Sequence, residues 1–401
     1  MRALRQLAGA LALAGITLAG AAETPPSDTA TPAALADLGL ALLRQGAPGN
    51  AVISPMAAAT ALGLAHAGLT GPAEAEIEAL FGPSAHGPHG LRQRLPALLQ
   101  QLDGGTASPF VMASRVWIDR RSAAAVPAAF KRRLATRYKA DAAPLDFADA
   151  EAARSQINGW TAEHTAGRIP ELLPAGSVSP ATRLTLTTAL HFRSPWERPF
   201  DPALTESRPF ATATGSKPVP MLVDERGVLQ SESDGTRVLS LPFAGAAYTL
   251  LVAVPAEGRS LDDLAQAATS GGLADWQAAL KPLKCKLALP RFSIAPRAAS
   301  LKPALESLGM KTAFTDAADL RPMLGKAAHR VHLGDVMHAA GITIDETGGE
   351  AVAAAAATVV AKAFAMPVPD CAVQRPFLFA VLHKPSGTPL FVGRVDDPTL
   401  Q

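Results

Sequence analysis

The stretch Ile344–Phe364, IDETGGEAVAAAAATVVAKAF, narrows what this chain can fold into more than any other. Two acids, a glycine pair and a third acid open it. A nearly unbroken run of small apolar residues follows, with a single cation, Lys362, near its end. Alanine is the strongest helix former, so a helix is the simplest expectation. A helix leaves the pair Gly348-Gly349 and the β-branched Thr358-Val359-Val360 unexplained.

The 401 residues are 48% hydrophobic and 18% charged, which calls for a large core and excludes bulk disorder. Length alone suggests about two or three domains. At the N-terminus, Arg2 and Arg5 precede the apolar run Leu7–Leu18 and the A-x-A site Ala19-Gly20-Ala21. Residues 1–21 are therefore expected to be a secretory signal peptide, leaving a protein that is secreted or periplasmic. The apolar run is shorter than the roughly 20 residues that span a bilayer. Lys and Arg number 37 against 35 Asp and Glu, and without Arg2 and Arg5 the signs balance. Nothing in that charge points to nucleic acid or to a membrane surface. Cys285 and Cys371 cannot staple a chain of this length; two isolated buried thiols are favoured over a bridge.

Thr31-Pro32 opens a helix with Leu35, Leu38 and Leu42 on one face and Gly46 as its stop. Ser54-Pro55 caps a second, running towards Gly68. Strands are expected at Thr182–Phe192, Tyr248–Pro255, Cys285–Ile294 and Phe377–His383. Helices early and mixed elements later imply an α+β fold.

Catalytic signatures are missing: no G-x-S-x-G, P-loop, H-E-x-x-H or G-x-G-x-x-G occurs. The expectation is a non-enzyme with no cofactor and no metal. The histidines of HGPHG, 86–90, fit a solvated loop. Lys131, Arg132, Arg133, Arg137 and Lys139 gather on one helix; a solvated face is the default and a polyanion site the alternative.

Eight stretches, in order, carry a resemblance: Asn50–Gly71, Ile157–Leu173, Thr188–Thr205, Val219–Leu222, Leu289–Phe292, Ser307–Leu320, Val336–Thr358 and Arg375–Val395. Together they resemble the serpin family from about Thr31 to Pro398. The resemblance implies that residues 22–401 form one domain with three β-sheets, eight to nine helices and an exposed reactive loop at about 346–370. In inhibitory members a serine protease, sometimes a cysteine protease, cleaves that loop. The loop's N-terminal side then enters the central sheet as a new strand, and the covalently held protease is distorted. The implied partner is thus a serine protease, met by a monomer whose hazard is loop–sheet polymerisation.

An inserting strand must send alternate side chains inward. From Gly349, one parity is Gly349, Ala351, Ala353, Ala355, Ala357, Val359 and Ala361; the other holds both charges, Glu350 and Lys362. A slip by one residue would bury Glu350. The resemblance places the hinge at Glu346, Gly348, Gly349, Glu350, Ala351, Ala353 and Ala355. It places the scissile bond at Lys362–Ala363, seventeen residues in when Glu346 is counted first. Lysine there fits a trypsin-like pocket; cuts after Ala361, Ala363 or Phe364 would suit elastase- or chymotrypsin-like enzymes. The sheet-opening region falls on Ser54, Thr188, Trp196 and His338, with Ala57 and Thr188 standing where serine and asparagine are usual. A non-inhibitory carrier, chaperone or substrate, and an exported hydrolase, are the other functions weighed.

Overall fold

Residues 30–46, 48–82, 90–102, 108–348 and 368–400 are described by the computed structural model. Helix α1 (Ala30–Gln45) does not bury one face only. Leu35, Leu38 and Leu42 enter the main core, while Ala36, Leu40 and Leu43 enter a second core on the other side. Helix α2 (Pro55–Gly68) is buried along its whole length, as a helix that is apolar all round must be. Its Ser54 cap accepts the Ala57 N–H at 3.1 Å. The other helices are α3 (Pro72–Leu80), α4 (Leu91–Leu102), α5 (Ala128–Tyr138), α6 (Ala150–His164), α7 (Leu261–Ala267), α8 (Ser270–Ala278), α9 (Lys302–Ser307) and α10 (Arg321–Leu324). Ten α-helices among the described residues exceed the eight to nine expected, because α10 is a single four-residue turn.

Five strands form one sheet: β10 (Phe292–Ser300), β11 (Val336–Ile344), β4 (Leu184–Phe192), β2 (Phe110–Asp119) and β3 (Asp141–Leu145), in that order. β11 and β4 pair directly and in parallel, from Val336 opposite Leu186 to Gly341 opposite His191. The second sheet runs β1 (Ala51–Ile53), β14 (Thr388–Val395), β13 (Phe377–His383), β8 (Tyr248–Val254), β7 (Thr236–Pro242), β6 (Gly215–Ser233), β9 (Lys281–Pro290) and β12 (Asp370–Ala372), with β5 (Glu206–Thr212) also on β6.

The described strands therefore form two hydrogen-bonded sheets, not three. β6 is the reason: its 19 residues pair with β5, then β9, then β7, joining what would otherwise be separate sheets. The run expected as one strand at Cys285–Ile294 splits for a related reason. β9 ends at Pro290 in one sheet, and β10 begins at Phe292 in the other.

Cys285 on β9 and Cys371 on β12 form a disulfide with Cα atoms 5.9 Å apart, correcting the expectation of isolated thiols. The two strands pair in parallel, Cys371 opposite Leu287.

Candidate functional site

Three polar side chains sit in one cross-strand row through the five-stranded sheet. His338 on β11 lies opposite Thr188 on β4, which lies opposite Ser114 on β2. All three are buried. The Ser54 N–H donates to His338 Nε2 at 3.2 Å, tying the start of α2 to β11. Burial pushes the His338 pKa down to about 4, so its imidazole is neutral at pH 7. His338 Nδ1, Thr188 Oγ1 and Ser114 Oγ have no hydrogen-bond partner among the described residues. Of the residues expected in the sheet-opening region, Ser54 and His338 are hydrogen-bonded, whereas Thr188 is their neighbour by register alone. Ala57 contributes only its backbone N–H.

At the top of the seam the chain leaves β11 through a tight turn. The Asp345 N–H donates to Gly348 O at 3.0 Å, and Asp345 Oδ1 accepts from the N–H groups of Thr347 and Gly348. Trp196 clamps this turn. Its indole Nε1–H donates to Asp345 O at 2.8 Å, and its backbone N–H donates to Thr347 O at 2.8 Å. The indole stacks on Phe243 with centroids 4.6 Å apart and meets Phe200 edge-on at 6.0 Å. Trp196 is therefore more than a core aromatic; it holds the turn Asp345–Gly348 through two hydrogen bonds.

Glu346 is 8% exposed and held on several sides. Thr205 Oγ1 donates to its Oε1 at 2.8 Å, Arg291 stands 3.9 Å from its Oε2, and its carbonyl accepts the Phe200 N–H at 2.8 Å. Gly348 has φ +125°, and a Cβ there would lie 2.5 Å from Ser194 O and 2.6 Å from Trp196 N. Only glycine fits. The remaining hinge residues, Gly349, Glu350, Ala351, Ala353 and Ala355, and the bond Lys362–Ala363 lie outside the described residues.

The outer face of the seam is covered by α6 and the segment after it. Ile169 and Leu172 pack on Ala189 of β4 and Ala339 of β11. Asn158 holds this cover down: its Oδ1 accepts from the N–H groups of Leu172 and Leu173, and its Nδ2 donates to Leu173 O. Sequence reasoning missed Ser114 and Phe243, which lie outside the recognised stretches, and gave no role to Phe200 and Thr205 within Thr188–Thr205. Asn158 lay within a recognised motif but had no role until the cover was seen.

The cations around α5 do not form one free surface. Arg133 Nη1 donates to Ala67 O at 2.6 Å and Arg137 Nη1 to Arg92 O at 3.1 Å, so two of them brace neighbouring helices. Lys131 and Arg132 are exposed.

The chain matches the family model described as "Serpin (serine protease inhibitor)" over residues 34–398. It is 32% identical to the leukocyte elastase inhibitor of Sus scrofa, covering 90% of this chain and 97% of that protein. It is 30% identical to Serpin-Z2B of Triticum aestivum, covering 88% and 90%. The fold superposes on mouse protein-Z dependent protease inhibitor with a TM-score of 0.81 at 23% identity, covering 92% and 97%. On the native thermophilic serpin tengpin it gives 0.81 at 24% identity, covering 91% and 93%.

The expectation of a secreted or periplasmic protein is corrected by these relatives. Leukocyte elastase inhibitor and serpins B6 and B8 are intracellular serpins without signal peptides. The stretch taken as a leader lies outside the described residues. With the fold matched and the family model spanning residues 34–398, the chain belongs to the serpin family, whose relatives include protease inhibitors.

Proposed function

We propose that this chain inhibits a trypsin-like serine endopeptidase as a suicide substrate. The protease would attack Lys362–Ala363, become joined to Lys362 as an acyl ester, and release the Ala363 amine. The freed loop would then enter between β11 and β4, and strain on the acyl-enzyme would stop deacylation. One observation supports this most: β11 and β4 are each other's direct parallel neighbours, with the hinge turn Asp345–Gly348 held at the top of their seam. The inhibitor would act as a monomer on one protease at a time.

A second reading has its own support. Leukocyte elastase inhibitors are among the relatives, and Ala361, Ala363 and Phe364 offer bonds to elastase- or chymotrypsin-like enzymes. Mixing the protein with trypsin and running a denaturing gel tests both. The expected result is a stable adduct near the summed mass and a released peptide beginning at Ala363. Clean cleavage without an adduct would make the protein a substrate or carrier. A released peptide with another N-terminus moves the bait bond.

A further inference from the structure

A cavity of about 540 Å³ opens where the β6–β7 turn meets β12 and the segment after it. Its lining includes Arg237 and Arg375, with Glu232 and Asp370 at its exposed edge. Arg237 Nη2 donates to Ala372 O, holding the end of β12. Its Nε is buried with no hydrogen-bond partner among the described residues. Arg375 has no hydrogen bond or ion pair among the described residues and is half-buried beside it.

The local acids do not neutralise this pair. Asp370 Oδ1 accepts the Ala372 N–H at 3.0 Å, and Glu232 is exposed. Burial and then the charge of Arg375 push the Arg237 pKa below its usual value, with Asp370 and Glu232 opposing less strongly. Two guanidinium groups facing one space, with a buried N–H unspent, suit an anion with several acceptor oxygens. The volume falls within the range of small-molecule pockets and exceeds what a bare ion needs.

We propose that this cavity binds a phosphate group, free or as the monoester of a small molecule, between Arg237 and Arg375. Glu232 at the rim competes for the same cations. Asp370 at the rim is the last residue of the expected loop, and the proposal does not rest on protease inhibition.

Calorimetric titration of the full chain, loop intact, with inorganic phosphate and with glycerol 3-phosphate at matched ionic strength tests this. Saturable one-to-one binding is expected, weakened at least tenfold by Arg375→Ala. A thermal melt without ligand confirms that the variant folds. Glu232→Gln gives a second readout with the opposite sign and should tighten binding severalfold. Tighter binding of glycerol 3-phosphate than of phosphate identifies a monoester site; equal binding identifies free phosphate. No binding beyond chloride, unchanged binding in Arg375→Ala, or weaker binding in Glu232→Gln each overturns the proposal.

Discussion

His338 makes the fold sensitive to acid in a calculable way. Above about pH 6.5 its imidazole is neutral in both folded and unfolded chains. Below that, the unfolded chain takes a proton that the buried ring refuses until about pH 4. Stability therefore falls by about 1.4 kcal/mol per pH unit across this window, about 3 kcal/mol in all, and the loss is complete below about pH 4. His338→Gln keeps an acceptor for Ser54 and removes the titration. Denaturant midpoints measured from pH 7 to pH 4 should drop more steeply in the wild type than in the variant, and parallel profiles would refute the assignment. Gly348 carries a second prediction. Gly348→Ala meets both a positive φ and carbonyl and amide atoms of 194–196, so it should destabilise the fold by about 1–3 kcal/mol. An unchanged melting temperature would mean that the hinge turn is not held as described. Ser54, His338 and Trp196 were legible because each stands in a motif. Ser114 was not, because a lone hydroxyl announces nothing until register places it; Thr205 closes a recognised stretch, but its bond to Glu346 joins residues 141 apart.

Elements with strong local signals were read well. β13 matches its expected range, β4 and β8 nearly so, and the Ser54-Pro55 start of α2 is as expected. What failed was non-local. No pattern within Cys285–Ile294 says that Pro290 and Phe292 belong to different sheets, since a continuous apolar run is equally compatible with one strand. The disulfide was left open for a similar reason: the resemblance sets Cys285 and Cys371 on or beside neighbouring strands, but nothing local fixes a pairing across 86 residues. Such a closed loop is long enough for the bridge to matter. Replacing both Cys285 and Cys371 by serine should lower unfolding stability by about 2–4 kcal/mol. Reductant should reproduce that loss in the wild type and leave the double variant unaffected. If reductant shifts both equally, the bridge contributes nothing. The cover over the seam is the opposite case: Asn158 binds Leu172 and Leu173 within a single motif, so the sequence stretch and its structural task coincide.

At the scale of the molecule, the proposed mechanism requires that the intact fold is not its most stable arrangement. Opening the seam breaks the parallel ladder between Val336–Gly341 and Leu186–His191, and Ile169 and Leu172 must lift from Ala189 and Ala339. Those contacts form the barrier. The gain on the far side is two ladders in place of one. A strand from Gly349 to Lys362 extends roughly 46 Å at about 3.3 Å per residue, longer than the ladder it displaces. The net gain in backbone hydrogen bonds at about 1 kcal/mol each is on the order of 5–10 kcal/mol, comparable to the whole stability of many domains. The intact state would then persist because its barrier is high. Cutting the loop with trypsin and melting the cleaved protein beside the intact one measures this directly. The cleaved form should unfold at a far higher temperature. Equal melting temperatures would mean that cutting releases no strand into the sheet, and trapping of a protease could not then be driven by the fold.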